Sequence, residues 1–292
     1  METTNQAALT RAIACADIFE LLSIAFAFPN ETLAQALLDG SFDEDLRACL
    51  GELGLLASCN GHVDDIRLSV ASGVEVMDGM DGTHPIEAEV TSADDDPATL
   101  LSTLRQEYTR LFLMPGKHAL IFPYEAAFRH VAAGRDGIPT LFIAKATKDV
   151  ERRMKHFGVL PKTARTEPVD SIHQELEFMR FLYTGLAGAL HLGDEVNQET
   201  WQREIDDFRQ SHVDLWLPEL MQRVEEETRS PIFRALSQVA GAVLSATARG
   251  PEAHLTACAT TCAPEAHPTA CETTHGPTLQ PISTHIQANG AE

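Results

Sequence analysis

The sequence predicts an all-α protein, with one helical-bundle domain over residues 8–249 and a disordered, low-complexity tail over residues 250–292. Hydrophobic residues make up 44% of the 292 residues, but aromatic residues only 6%. The abundance of Ala and Leu favours helices over sheets. Apolar residues recur at intervals of three and four in successive segments, and no segment alternates with a period of two between hairpin turns. We therefore expect no sheet.

The first half of the chain predicts four helices and one long loop. Residues 8–28 carry one apolar stripe, and Pro29 ends that helix. Asn30 caps a short helix that Gly40 closes, and helical segments follow over residues 43–56 and 64–76. Residues 78–96 contain Gly, Pro, Thr and many acids without an apolar period, which predicts a long acidic loop, either disordered or a hinge between two helical halves. The first stripe consists of Ile18, Leu21, Leu22, Ala25 and Phe28.

The second half predicts seven helices. Pro97 begins the first of them, since Pro is favoured at the first helical position, and Pro115-Gly116 ends it. The clearest apolar period lies between Asp170 and Leu192, and Gly193 ends that helix. The helix over residues 139–157 is expected to place Ile143, Ala146, Val150, Met154 and Phe157 on one face. The remaining predicted helices span residues 123–134, 195–208, 212–227 and 231–248.

The net charge of −21 comes from 43 acidic residues against 22 basic ones. Such a charge disfavours nucleic acid and anionic membranes, and it favours a basic partner. Solubility alone explains the charge equally well. The N-terminus has no basic segment followed by an apolar run, and no apolar stretch reaches the roughly 20 residues that span a bilayer. We expect a cytoplasmic protein with reduced cysteines and no stable membrane insertion.

Two segments gather residues suited to binding. In the first, Glu107 to Gly116 is followed by Pro123-Tyr124-Glu125, which places Glu125 in the first turn of a helix, where a carboxylate is favoured. In the second, the segment Glu167 to Leu176 begins the long helix, and Asp170 or Ser171 is expected to cap it. Helix punctuation alone explains either segment. The second also gathers acids at one helix start, a suitable place for guanidinium groups: Glu167, Asp170 and Glu175, with His173.

These segments resemble the TorD/DmsD family of chaperones for molybdenum enzymes. The resemblance covers residues 10–248, and the Glu-Pro-x-Asp stretch from Glu167 to Asp170 is its most specific part. Family members usually have His directly after the Asp, where this chain has Ser171. His173 lies two positions further, about 200° around a helix from Ser171. The other matching stretches are Phe28-Pro29, Tyr108 through Glu125, and Phe208-x-x-x-His212 through Trp216-Leu217-Pro218.

The resemblance implies a single domain of about ten helices and a binding protein rather than an enzyme. Its partner would be a molybdopterin-dependent oxidoreductase precursor, bound through a basic twin-arginine signal peptide and held in the cytoplasm until the cofactor is inserted and export proceeds. The resemblance leaves bound guanine nucleotide or molybdopterin open, and both a monomer and a helix-swapped dimer. The departure at Ser171 puts the nucleotide in doubt. No phosphate loop, dinucleotide motif, zinc-protease motif or nucleophile elbow is present.

The resemblance also implies which residues bind the partner. Glu167, Asp170 and Glu125 would supply negative charge for the arginines, with His173 beside them. An apolar groove would be formed by aromatic residues, although core packing is the simpler interpretation for Phe112 and Trp216. The expected groove residues are Tyr108, Phe112, Tyr124 and Trp216.

The tail offers a different interpretation. Its Cys and His residues suit zinc or an iron–sulfur centre, which would make the chain a helical metal-binding protein. The spacings are looser than those of a Cys-x2-Cys pair, so incidental ligands in a low-complexity tail are the favoured interpretation. A chaperone of a non-exported enzyme of the nitrate reductase type is a third hypothesis. The candidate metal ligands are Cys258, Cys262, Cys271 and His275.

Overall fold

A computed structural model describes residues 2–71, 96–113 and 121–248, with side chains from residue 5 onward. Within these ranges it contains eleven α-helices and no β-strand, which confirms the predicted all-α class. The predicted tail and all but the last residue of the predicted acidic loop lie outside the described residues. The helices are α1 (Glu2–Phe26), α2 (Glu31–Asp39), α3 (Ser41–Glu52), α4 (Leu56–Ala71), α5 (Pro97–Tyr108), α6 (Glu125–Ala132), α7 (Lys145–His156), α8 (Ile172–Leu192), α9 (Glu195–Ser211), α10 (Leu217–Glu227) and α11 (Pro231–Thr247).

Several helix ends lie where the sequence places them. The Asn30 side chain accepts a hydrogen bond from Leu33 N at 2.9 Å and so caps α2. Gly40 follows α2 with a φ of +81°, a left-handed conformation that favours glycine. Pro97 stands at the start of α5, and Asp96 caps this helix by accepting from Ala98 N at 3.1 Å.

The expected helix over residues 139–157 begins later than predicted. α7 starts at Lys145, and Val150 and Met154 are buried as expected, but Ile143 is 76% exposed. The Thr147 hydroxyl donates to Leu141 O at 2.7 Å, which folds the preceding segment back against the first turn of α7. The helix expected over residues 212–227 is also shorter, because a 3-10 turn (Val213–Leu215) precedes α10.

The core lies between α1 and α8, which pack along each other. Phe19 of α1 stacks on Tyr183 of α8 with ring centroids 5.6 Å apart. Further helices enclose this pair: α9 packs on α8, α3 on α1, and α11 on both α10 and α4. The largest fully buried side chains of the described residues include Phe19, Phe26, Phe208, Trp216 and Phe233.

No single helix of the described residues is long and apolar enough to cross a membrane; α1 and α2 satisfy that test only as a pair, and they are bent by 116° at the break between them. The three described cysteines, Cys15, Cys49 and Cys59, are buried and unpaired. Burial raises the pKa of Cys15 and of Cys49 to about 11. Both therefore remain thiols at neutral pH and serve as core residues.

Glu107 ties the end of α5 to the connection between α10 and α11. Its carboxylate accepts hydrogen bonds from Arg110 Nε at 2.7 Å, from the Thr228 hydroxyl at 2.7 Å and from Arg229 N at 2.6 Å. Burial alone raises the pKa of Glu107, but the hydrogen bonds from these three partners outweigh it and lower the pKa to about 2. The carboxylate form is therefore stabilised by the fold.

We predict that Glu107 contributes stability that is lost in acid. Because the folded-state pKa lies below the ordinary value of 4.5, this contribution is complete above about pH 4.5 and disappears as the pH falls toward 2. Glu107→Gln is expected to lower the free energy of unfolding by about 2–3 kcal/mol at pH 7 and by much less at pH 2–3. Urea unfolding across this pH range measures the difference.

The matched control is Glu177→Gln. Glu177 forms an ion pair with Arg180 at the same spacing of three residues. This pair is more exposed, since 43% of the Glu177 side chain and 32% of the Arg180 side chain are accessible to solvent. We expect a loss below about 1 kcal/mol there. Equal losses at the two positions would contradict the role assigned to Glu107.

A second prediction concerns the contact between α8 and α9. A Cβ atom added at Gly185 would lie 2.5 Å from the Trp201 ring, whereas one added at Gly188, one turn further along α8, would meet nothing within 4 Å. Gly185→Ala should therefore lower the melting temperature. Gly188→Ala should leave it unchanged or raise it, since Ala is favoured over Gly in a helix by about 1 kcal/mol. Thermal denaturation followed by circular dichroism tests both, and a stable Gly185→Ala variant would contradict the close approach.

Candidate functional site

The candidate site is built on a junction between two chain segments, one before α6 and one before α8. Tyr124 and Ser171 form an isolated antiparallel bridge. Glu125 N donates to Asp170 O at 2.8 Å, and Ile172 N donates to Pro123 O at 3.0 Å. The two sequence motifs are thereby brought side by side, although they lie about 45 residues apart in the chain.

Asp170 caps α6 and not α8. Its Oδ2 atom accepts from Ala126 N at 3.0 Å, in the first turn of α6, and from the Thr147 hydroxyl at 2.9 Å, in α7. No side chain caps α8, whose preceding residue is Ser171. The expectation that Asp170 or Ser171 caps the long helix is therefore wrong. Burial raises the pKa of Asp170, and the hydrogen bonds from Ala126 and Thr147 oppose that rise.

Behind the junction lies a buried polar network. The two ring nitrogens of His212 contact two carboxylates: Nδ1 lies 2.7 Å from Glu125 Oε2, and Nε2 lies 3.0 Å from Asp149 Oδ2. Trp216 Nε1 donates to Glu175 Oε2 at 2.8 Å. Glu125, Glu175 and Trp216 are fully buried. The network therefore joins α6, α7, α8 and the start of α10.

The pKa shifts in the network have identifiable causes. Burial raises the pKa of Glu175 well above its ordinary value, and the charge of Glu125 adds to the rise. This favours a neutral Glu175 carboxyl at neutral pH. The pKa of Asp149 moves the other way: burial raises it, but hydrogen bonds from Arg152, His212 and Arg153 lower it by more.

One trio in the network has the donor types of a metal site. Ligand atoms of Glu125, Glu175 and His212 lie within 4.8 Å of one another. Both nitrogens of His212 already contact carboxylates, and Glu125 also accepts from Arg129. Since the contacting atoms of Glu125 and His212 already have partners among the described residues, hydrogen bonding accounts for the proximity of these two side chains.

An apolar cleft of about 270 Å³ opens on the other side of the junction. Glu167 and His173 stand at one side of it, with the Glu167 Oε1 atom 3.8 Å from the His173 Nε2 atom. The Phe28 ring is 48% exposed and packs edge-on against Tyr108 at 5.5 Å. A partly exposed acid thus adjoins aromatic surface. The lining residues are Phe26, Phe28, Tyr108, Leu113, Pro123, Tyr124, Glu167, Ser171, Ile172 and His173.

Charge states in the cleft follow from burial. Burial lowers the pKa of His173, although the charge of Glu167 opposes this. His173 is therefore neutral at neutral pH, which leaves Glu167 as the charged group. Burial also raises the pKa of Tyr124, and the charge of Glu167 raises it further, so the phenol stays protonated.

The structure places the sequence-predicted residues in different environments. Glu167, His173, Tyr108 and Tyr124 line the cleft. Of the remainder, Phe112 packs against Tyr108 at 4.8 Å and is only 5% exposed. The other three are fully buried and belong to the junction and the network, so they have no surface to offer a partner directly: Asp170, Glu125 and Trp216. The tail residues Cys258, Cys262, Cys271 and His275 lie outside the described residues, and their metal binding stays a prediction.

Ser171 and His173 line the same cleft, contrary to the angle expected from the sequence. The Ser171 hydroxyl lies 3.2 Å from His173 Nδ1. The helical angle of about 200° does not apply, because Ser171 precedes α8 in extended backbone. An imidazole thus stands beside the position where the family usually carries His. Phe28 and Leu113 were not predicted as cleft residues, and only the Phe28-Pro29 stretch, one of those that resemble the family, pointed to Phe28.

A second cavity, of about 810 Å³, lies between α1, α8, α9 and the end of α11. None of the sequence-predicted residues lines it. Its charged lining is mixed, since it includes Arg11 and Arg203 as well as Glu199 and Asp207. The smaller cleft, where the motifs converge, is therefore the better candidate for the functional site.

Comparison with known proteins supports the same interpretation. Residues 82–222 match the family described as nitrate reductase delta subunit. Over 130 residues the chain is 33% identical to the chlorate reductase assembly chaperone protein of Ideonella dechloratans and 32% identical to the selenate reductase assembly chaperone protein of Thauera selenatis. These matches confirm the resemblance to the TorD/DmsD family.

The matches cover only part of each of these relatives. Each 130-residue match covers 44% of this chain and 62% of the relative, so the chain spans less than two thirds of those two proteins. The perchlorate reductase assembly chaperone protein of Dechloromonas aromatica (strain RCB) is 25% identical over 167 residues, which cover 57% of this chain and 71% of that protein. No solved structure gives a significant match.

We predict a structural role for Asp170. Asp170→Ala leaves Ala126 N without its side-chain acceptor and removes the link to Thr147, so the free energy of unfolding should fall by about 2 kcal/mol. Asp170→Asn retains one acceptor oxygen and should lose less. Urea unfolding of the three proteins decides this. An alanine variant as stable as the wild type would contradict the assignment of Asp170 as the cap of α6.

Proposed function

We propose that this chain is an assembly chaperone for a molybdenum-dependent reductase and performs no chemistry itself. It binds the reductase precursor in the cytoplasm, before cofactor insertion and export are complete. The names of the three relatives, each a reductase assembly chaperone, support this function. The carboxyl network supports a binding protein, because Glu125, Glu175 and His212 are buried beneath the surface, where a substrate has no access to them.

The basic leader of the precursor is the proposed ligand of the cleft. A twin-arginine leader carries guanidinium groups followed by apolar residues, so its receptor needs a carboxylate beside apolar surface. The cleft offers this combination: Glu167 retains a side-chain exposure of 35%, and Phe28, Tyr108 and Tyr124 adjoin it. Aromatic faces also attract guanidinium groups. Arg105 already illustrates this contact, with its guanidinium carbon 5.4 Å from the Phe28 ring centre.

The placement of Glu167 in the cleft carries the proposal, and its substitution tests it. Glu167→Gln removes the charge and keeps the shape of the side chain. We expect its affinity for a synthetic twin-arginine leader peptide to fall about tenfold, equivalent to about 1.4 kcal/mol. Added salt should weaken binding to the wild type more than to the variant, because salt screens an exposed charge pair. Isothermal titration calorimetry measures both effects.

Glu52→Gln is the matched control, since Glu52 is an exposed acid at the end of α3 and does not line the cleft. It should bind the leader as the wild type does. Circular dichroism checks that both variants stay folded. Equal affinity of Glu167→Gln and the wild type at low salt would remove Glu167 from the proposed site. Equal losses of affinity in both variants would mean that net charge, and not the position of Glu167, determines leader binding.

The family match favours a second candidate, a chaperone for a non-exported enzyme of the nitrate reductase type. The two candidates differ in the partner, because a non-exported enzyme carries no twin-arginine leader. Purification of the full chain from its native host, with identification of the bound enzyme and its N-terminal sequence, separates them.

A further inference from the structure

The connection between α6 and α7, residues 133–144, presents apolar side chains to solvent. Ile138 is 91% exposed, Ile143 76% and Phe142 41%. A single exposed apolar side chain is common on protein surfaces, but three within six residues form a patch that indicates an interaction. None of the three lines the cleft or the larger cavity. We call residues 138–143 the apolar loop.

The backbone of the apolar loop forms few hydrogen bonds with the described residues. Among the described residues, its one hydrogen bond is the contact of Leu141 O with the Thr147 hydroxyl at 2.7 Å. The same Thr147 hydroxyl also forms a hydrogen bond with Asp170 Oδ2, at 2.9 Å. The loop is therefore held at one point to the junction, while Ile138 and Ile143 project away from the domain.

Basic residues are frequent in the sequence on both sides of the apolar loop. Residues 129–165 contain nine of the chain's 22 Lys and Arg residues but only three of its 43 acids, so this stretch carries a formal charge of +6 in a chain of charge −21. Arg135 and Lys145 flank the loop; both are exposed, and neither forms an ion pair with a described residue. Lys162 and Arg165 are exposed in the same way.

We propose that the apolar loop and its flanking bases dock reversibly onto an anionic lipid surface. Ile138, Phe142 and Ile143 would enter the boundary between headgroups and acyl chains, while Arg135 and Lys145 contact lipid phosphates. The unpaired backbone groups stay in the hydrated headgroup layer, because hydrocarbon offers them no hydrogen-bond partner.

The charge of the rest of the chain limits this docking but does not prevent it. At physiological ionic strength, charges are screened beyond about 8 Å, so acids far from the loop repel the surface only weakly. A lipid surface fits the loop better than a protein groove does. The core of a protein interface requires closely packed, complementary surfaces, whereas this loop offers a patch of only three apolar side chains on irregular backbone.

The experiment is flotation of the full-length chain with vesicles of phosphatidylcholine alone or of phosphatidylcholine mixed with phosphatidylglycerol. The wild type should bind the mixed vesicles and not the neutral ones, and salt should release it. The double variant Ile138→Ser with Ile143→Ser should bind about tenfold more weakly, because the lost apolar area drives insertion. Arg135→Glu with Lys145→Glu should bind more weakly by a similar factor.

The matched control is Leu192→Ser with Val196→Ser, which changes two side chains that are 74% and 72% exposed at the α8–α9 connection. It should bind vesicles as the wild type does. A wild type that stays in the soluble fraction with phosphatidylglycerol vesicles would overturn the proposal, as would full binding by the isoleucine double variant. Leader binding does not enter this experiment, so its outcome is independent of the proposed function.

Discussion

The pairing of the segments before α6 and α8 is the constraint on which the site depends. The two backbone hydrogen bonds of the Tyr124–Ser171 bridge hold the segments together, and the Asp170 carboxylate extends the pairing to the first turns of α6 and α7. A single buried acid thereby sets the positions of three helices. Because the Asp170 Oδ2 atom accepts from both donors in a buried environment, loss of these hydrogen bonds leaves polar groups unsatisfied.

The acidic residues on the two sides of the junction differ in burial and therefore in role. Glu125 and Glu175 lie behind it, fully buried, where they contact His212 and Trp216. Glu167 lies in front of it, partly exposed beside the aromatic cleft. A buried polar group requires hydrogen-bonding partners. The contacts that the buried acids make with these partners hold the helices together. Of these three acids, Glu167 alone retains exposed surface that a basic ligand can contact.

Much of the fold could be predicted from local patterns. The cap at Asn30, the proline start of α5 and the apolar period of α8 depend on residues within one or two helical turns, and all lie where expected. The late start of α7 could not be predicted in this way. It depends on the contact of Thr147 with Leu141 and with Asp170, and Asp170 lies 23 residues away.

The sequence alone determined the all-α class, most helix boundaries and the two motifs that meet at the site, because these follow from short-range periodicity and capping. It also pointed to Glu167, His173, Tyr108 and Tyr124. Only the tertiary structure decided that Asp170, Glu125 and Trp216 are internal, that Ser171 adjoins His173, and that Phe28 lines the cleft. The physical reason is that the solvent exposure of a side chain depends on contacts between segments far apart in the chain. A local sequence pattern does not indicate on which side of the junction a carboxylate lies.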